Sequence, residues 1–172
     1  KDGTIALYQL IFNTVHGLYK ERYAYRHNMT DVVIQDLASH NEVRIKCRDL
    51  VKKIAIYKNR LAVQLPNQLN VYELSTGDVG ETKFRIIQKL KKKFDCNLLV
   101  VCANNIILCQ EKRLQCLSLT GQKDREWTMD SMIRYIKVSG GPAGREGLLV
   151  GLRNGQVCRR GGGGGGRASE AA

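Results

Sequence analysis

Histidine, tryptophan and long apolar runs are scarce in this chain, and these scarcities argue against a catalytic site and against a membrane-spanning segment. The 172 residues include only 3 histidines and 1 tryptophan. None of His16, His27 and His40 lies beside a nucleophile motif, so we expect no catalytic site. The longest apolar runs, such as residues 98–103, are far shorter than the roughly 18 to 20 residues that a membrane-spanning helix needs. We therefore expect no transmembrane segment.

The chain also lacks the short motifs that bind metals and nucleotides. Its 6 cysteines include no Cys-X2-Cys pair, the spacing from which zinc sites usually draw two ligands. The glycine-rich residues 140–147 are not followed by the Gly-Lys-Ser/Thr of a phosphate loop. We expect neither a metal nor a cofactor. We interpret the cysteines as small apolar side chains buried in strands, in a protein of the reducing cytosol.

The chain contains an internal repeat. The alternation of apolar and polar residues over residues 60–74 recurs over residues 105–119, and a shorter copy occupies residues 148–157. A spacing of about 40 to 45 residues between pairs of short strands is the period of a β-propeller blade. We therefore predict an all-β fold, a β-propeller fragment of about three blades, each a four-stranded antiparallel meander. Because a closed ring needs about four to eight blades, we expect the chain to be part of a longer protein.

Turn signals and composition divide the chain into three parts. We predict that residues 1–26 end a preceding propeller or blade, with a strand at 4–10. Residues 27–158 then begin a propeller. Strands are expected at 31–37, 42–47, 51–57 and 61–65, at 94–103, 106–110 and 114–119, and Asn154-Gly155 is expected to form a hairpin turn. The glycine-rich residues 159–172 have few side chains with which to pack, which predicts a disordered tail.

Positive charge is concentrated between residues 83 and 94, in a chain whose formal net charge is +12. We select six side chains as a candidate partner-binding patch: Lys83, Arg85, Lys89, Lys91, Lys92 and Lys93. Such a patch attracts an acidic protein, an anionic lipid surface or RNA. The competing interpretation is a solvated edge strand, on which lysines discourage aggregation between sheets. Nucleic acid is disfavoured because Phe84 and Phe94, the nearby aromatic residues, are expected in the core instead of on a stacking surface.

Several longer stretches closely resemble a known family. They are residues 7–19, 96–104, 107–118, 133–138 and 140–152, and they resemble the WD-repeat subunits of intraflagellar transport complex A. The likeness covers roughly residues 1–157 and implies two tandem WD-repeat β-propellers followed by a helical-repeat tail. The resemblance also implies an apolar strand after residue 160, where this chain has glycines instead.

The resemblance also implies a function and a location. Subunits of this family are non-enzymatic scaffolds that act in retrograde ciliary transport and in the import of membrane-protein cargo through protein-protein interactions. The implied partners are the other complex A subunits and ciliary membrane-protein cargo. The implied location is the cilium and ciliary base, on the cytoplasmic side. The alternative, from the charge alone, is a basic binding module for RNA or acidic phospholipid, and peripheral contact with acidic lipid stays open.

Overall fold

The computed structural model describes Gly3 and residues 14–76 and 82–161, which form fifteen β-strands in four antiparallel sheets. The first sheet contains β1 (His16–Tyr19), β2 (Arg22–Arg26), β3 (Asp31–Asp36) and β4 (Glu42–Lys46). The second contains β5 (Lys53–Tyr57), β6 (Arg60–Gln64), β7 (Leu69–Thr76) and β8 (Thr82–Leu90). The third contains β9 (Leu98–Val101), β10 (Asn105–Gln110), β11 (Arg113–Ser118) and β12 (Lys123–Thr128). The fourth has three strands, β13 (Ile133–Gly140), β14 (Gly147–Leu152) and β15 (Val157–Gly161).

Each sheet is a meander in which consecutive strands pair, and this confirms the predicted fold class. The repeated sequence segments are the hairpins β6–β7, β10–β11 and β14–β15, the second and third strands of successive sheets. Asn154 and Gly155 connect β14 to β15, and Gly155 has a φ of 87°, a value that glycine adopts without strain. The first sheet follows the same plan, with β2 paired to β3.

Apolar side chains fill three clusters, one between each pair of neighbouring sheets. Along β5, Ile54 and Ile56 belong to the cluster shared with the first sheet, whereas Ala55 and Tyr57 belong to the cluster shared with the third. A third cluster around Ile107 and Val150 joins the third sheet to the fourth. Burial on both faces explains why the inner strands are apolar at consecutive positions instead of at alternate ones.

The inner strands of the four sheets, β1, β5, β9 and β13, line one central cavity of about 450 Å³. Within the described residues, the outward faces of the first and fourth sheets have no neighbouring sheet. Leu18 on β1 is 59% exposed there, and Tyr135 on β13 is 57% exposed. The sheets are therefore packed in series around a common space.

The predicted domain limits stay predictions. Strand β2, before the expected division at residue 26, pairs with β3, which follows it. Strand β15 includes the first three residues of the segment expected to be a disordered tail. The strand predicted at residues 4–10 and the rest of the tail, residues 162–172, lie outside the described residues. In the described ranges, the chain forms no helix of the length and apolar character that would cross a membrane.

Candidate interaction surfaces

The six predicted basic residues lie together on the outer strand of the second sheet and on the loop that follows it. Lys83, Arg85 and Lys89 belong to β8, and the three remaining lysines precede β9. All six side chains are exposed. Strand β8 follows β5, β6 and β7 in the order of the sheet, so it is the strand farthest from the central cavity. We call these six residues the β8 basic patch.

The fold brings further positive charge to the end of the second sheet at which β8 finishes. Because the strands of the sheet alternate in direction, β5 begins at the end of the sheet where β8 finishes. Lys52 and Lys53, at the start of β5, therefore lie at the same end as residues 91–93. The loop is held there by two contacts of Gln64, whose Nε2 donates to the Phe94 carbonyl at 2.7 Å and whose Oε1 accepts from the Cys96 thiol at 3.2 Å. Sequence reasoning did not include these two lysines, because only the meander places them at the same end of the sheet as the patch, on the opposite edge strand.

The outer strand of the third sheet differs from β8 in its charge. On β12, Lys123 lies 2.7 Å from Glu126, and Arg125 lies 3.7 Å from Asp124. The side-chain hydrogen bond from Lys123 is the largest cause that lowers the pKa of the Glu126 carboxyl. Positive charge on β12 is thus balanced within the strand, whereas residues 83–94 contain no acidic residue.

Two equivalent hairpin tips form a second surface that the sequence reasoning missed. In the β1–β2 turn, the Lys20 ammonium lies 5.9 Å from the centre of the Tyr19 ring, and in the β5–β6 turn Lys58 lies 5.4 Å from Tyr57. The two tyrosine rings are in edge contact at 5.0 Å. An open cleft of about 490 Å³ lies beside these turns, and Arg22 reaches across it to donate to the Lys58 carbonyl at 2.8 Å. The shared pattern Tyr-Lys-X-Arg was the sequence signal for this equivalence.

One residue, Ala103, joins three sheets by hydrogen bonds. Its carbonyl accepts from Arg60 Nε of the second sheet at 2.9 Å. Its N–H donates to the carboxylate of Glu146, from the loop before β14, at 3.2 Å. The other oxygen of that carboxylate accepts from the Gly144 N–H at 2.9 Å, and Glu146 is only 4% exposed. A buried carboxylate held by two backbone donors indicates a structural role.

All six cysteines are free thiols, of which five are buried and Cys158 is half-buried. Burial raises the pKa of Cys102 to about 12 and that of Cys96 to about 11. It also raises the pKa of Cys109 and of Cys116 to about 11. Thiols with such pKa values stay protonated at neutral pH and are poor nucleophiles. Within residues 14–76 and 82–161, no three His, Cys, Asp or Glu side chains lie together in a way that could hold a metal ion.

Four antiparallel sheets in series around a central cavity, linked by a repeated hairpin, define a β-propeller repeat protein. The chain belongs to the IFT122 second β-propeller family, whose model matches residues 16–160. This confirms the resemblance found in the sequence and narrows it to one subunit.

The relatives agree with this family assignment, and the solved structures agree with the fold. The chain is 68% identical over 159 residues to the intraflagellar transport protein 122 homolog of Mus musculus. The matched region covers 92% of this chain and 14% of the relative. It is 67% identical to that of Homo sapiens, again over 92% of this chain but 13% of the relative. Among solved structures, BBS1N in complex with ARL6DN matches with a TM-score of 0.57 and 18% identity, over 86% of this chain and 50% of that chain. BamB from Moraxella catarrhalis matches with a TM-score of 0.54 and 9% identity, over 84% of this chain and 42% of the BamB chain. The structural likenesses show the fold alone.

Proposed function

We propose that this chain forms part of a non-enzymatic scaffold subunit of intraflagellar transport complex A. The observation that carries the proposal is the family match over residues 16–160, with identities of 64% to 68% to the curated homologs. The chain spans about 13% of the length of those relatives, so the activity belongs to the longer polypeptide. Its role is retrograde ciliary transport and the import of ciliary membrane-protein cargo, at the cilium and ciliary base on the cytoplasmic side.

The physical character of the fold supports a binding role. Inner and middle strands are buried between sheets, so partners have access to outer strands, to the loops at the two ends and to the central cavity. The groups with shifted pKa values in the described residues are buried thiols and tyrosines, or surface carboxylates held by their own neighbours. Glu126 and Asp36, the two such carboxylates, are held by a lysine and by backbone N–H groups. We infer a scaffold that works by surface complementarity with other complex A subunits and with cargo.

The β8 basic patch is the surface we assign to a protein partner. The patch has six exposed cations, and residues 83–94 include no acidic residue, which favours an acidic protein segment. RNA is the weaker candidate, because Phe84 and Phe94 pack against the apolar clusters and offer no stacking surface among the lysines. An anionic phospholipid surface is the remaining alternative, and the +12 charge is the observation that favours it.

Affinity purification of the full-length protein that carries this propeller, from ciliated cells, tests the proposal. We expect the wild-type protein to recover the other complex A subunits. The quadruple variant Lys89→Glu, Lys91→Glu, Lys92→Glu and Lys93→Glu should recover fewer partners, while Lys123→Glu on β12 serves as a control. Failure of the wild-type protein to recover any complex A subunit would reject the assignment.

A further inference from the structure

The outer edge of the second sheet is a strand with one unpaired side. Strand β8 pairs with β7 along Leu69–Thr76, and within the described residues no strand pairs with its other edge. It has 9 residues, whereas the outer strands β4 and β12 have 5 and 6. An unpaired strand edge presents a row of backbone donors and acceptors that another extended segment can satisfy.

The side chains of this edge combine charge with an exposed apolar residue. Ile86, in the middle of β8, is 39% exposed, an unusual state for isoleucine in a strand. Arg85 and Lys89 flank it, and Lys91, Lys92 and Lys93 follow directly. Lys52 and Lys53 lie at the same end of the sheet. An occupant of this edge would therefore be negatively charged, with its charge concentrated near the end of β8.

We propose that the free edge of β8 binds an extended acidic peptide segment of a partner protein as a fifth strand of the second sheet. Backbone hydrogen bonds to β8 supply affinity, and the lysines and arginine select carboxylate side chains. Directly opposite side chains in an added strand would be about 4.5 to 5.5 Å from those of β8, close enough for charge pairing. A segment of about nine residues, roughly 30 Å long, would cover the strand.

Other sheet edges fit this occupant less well. The cations of β12 are paired with acidic residues of the same strand. On β4, Arg44 lies 4.0 Å from Asp31 of the adjacent β3. Strand β15 also ends its sheet, but it has only 5 residues. Among these outer strands, only β8 has 9 residues and several cations but no acidic residue of its own.

The proposal rests on the protein-docking role assigned to the β8 basic patch, and the test separates the two. A fluorescently labelled ten-residue peptide of alternating glutamate and threonine is titrated with the 172-residue chain, with fluorescence anisotropy as the readout. Threonine favours the extended conformation and glutamate supplies the charge. The comparison peptide has the same sequence with N-methyl groups on alternate backbone nitrogens, which removes the donors and keeps the charge.

We expect saturable binding of the unmodified peptide and at least a tenfold weaker affinity for the N-methylated one. The triple variant Lys89→Glu, Lys91→Glu and Lys92→Glu should also weaken binding roughly tenfold or more, since reversed charges repel the glutamates. Lys123→Glu on β12 and Arg159→Glu on β15 are matched controls and should bind as the wild type does. Circular dichroism and melting temperature confirm that each variant is folded.

Three results would overturn the proposal. Equal affinity for the N-methylated peptide would mean attraction by charge alone. An effect of Arg159→Glu as large as that of the triple variant would place the peptide on β15. Binding to phosphatidylserine vesicles but not to the peptide would mean that the patch is a lipid surface. None of these results decides whether the full-length protein recovers complex A subunits. The scaffold role is therefore tested separately, by the affinity purification, even if β8 does not bind the peptide.

Discussion

Glu146 joins the third and fourth sheets through its buried carboxylate, and replacing it with glutamine should destabilise the whole assembly. The two carboxylate oxygens accept from the N–H groups of Ala103 and Gly144. Glutamine has nearly the same shape but only one acceptor oxygen, and its amide nitrogen would face a backbone donor. The variant therefore leaves one buried N–H without a partner.

The cost follows from the chemistry of a lost acceptor. Leaving a buried donor unsatisfied costs about 1 to 3 kcal/mol. For a chain of this size, each kcal/mol lowers the melting temperature by about 2 to 4 °C, so we expect a fall of roughly 2 to 12 °C. Glu146→Ala should cost more, because it removes both acceptors and the buried side chain.

Urea denaturation measured by fluorescence and far-ultraviolet circular dichroism gives the free energy of unfolding. Trp127, the chain's only tryptophan, lines the same small cavity as Glu146 and reports directly on this region. Glu42→Gln on β4 makes the same chemical change at an exposed position and should alter stability by less than about 0.5 kcal/mol. If Glu146→Gln unfolds at the same urea concentration as Glu42→Gln, the structural role argued for Ala103 and Glu146 is refuted.

Three further predictions concern thiols, pH and packing. At pH 8, a disulfide reagent should modify Cys158 first in the folded protein, and modification of the other five cysteines should require denaturant. Fast reaction of more than one thiol in the folded protein would contradict the burial of Cys47, Cys96, Cys102, Cys109 and Cys116. Backbone hydrogen bonding from Ser39 is the largest cause that lowers the pKa of Asp36. The ionised Asp36 carboxylate therefore stabilises the folded state at neutral pH, and this stabilisation is lost as the pH falls through the lowered pKa. Asp36→Asn should thus reduce the urea midpoint at pH 7 and reduce it progressively less as the pH is lowered, and a loss of the same size at every pH would contradict this. A Cβ on Gly17 would lie 3.3 Å from the Ile56 side chain. Gly17→Val should therefore overpack β1 against β5 and lower the free energy of unfolding in urea by about 1 to 3 kcal/mol. An unchanged urea midpoint would show that β1 and β5 are not packed this closely.

The blade pattern was readable from the sequence where the side chains repeat. Residues 60–74 and 105–119 share alternation and length, and both fold as second-and-third-strand hairpins. Val43 and Ile45 alternate with Arg44 and Lys46 in the strand predicted at residues 42–47, and this strand, β4, is the outer strand of its sheet, with one face exposed. Local periodicity is reliable here because a strand has one side-chain period whatever its partners are.

The first sheet was harder to predict because its hairpin differs in sequence from the later copies. Strands β2 and β3 pair as β6 and β7 do, whereas the sequence predicts a division between them, after residue 26. The signal that could have identified it is the pair of hairpin tips, Tyr19-Lys20 and Tyr57-Lys58. Such a match is too short to stand out before the two tyrosines are seen in contact.

The all-β repeat, the family and the basic segment at residues 83–94 were predictable without coordinates, since each is a property of neighbouring residues along the chain. The packing of the strands, in contrast, was needed to place Lys52 and Lys53 at the same end of the sheet as this segment. It likewise decided that Ala103 is held by Arg60 and Glu146, residues of two other sheets. These contacts depend on the direction of the antiparallel strands and on the packing of neighbouring sheets. Side chains far apart in sequence have no local pattern from which such contacts could be predicted.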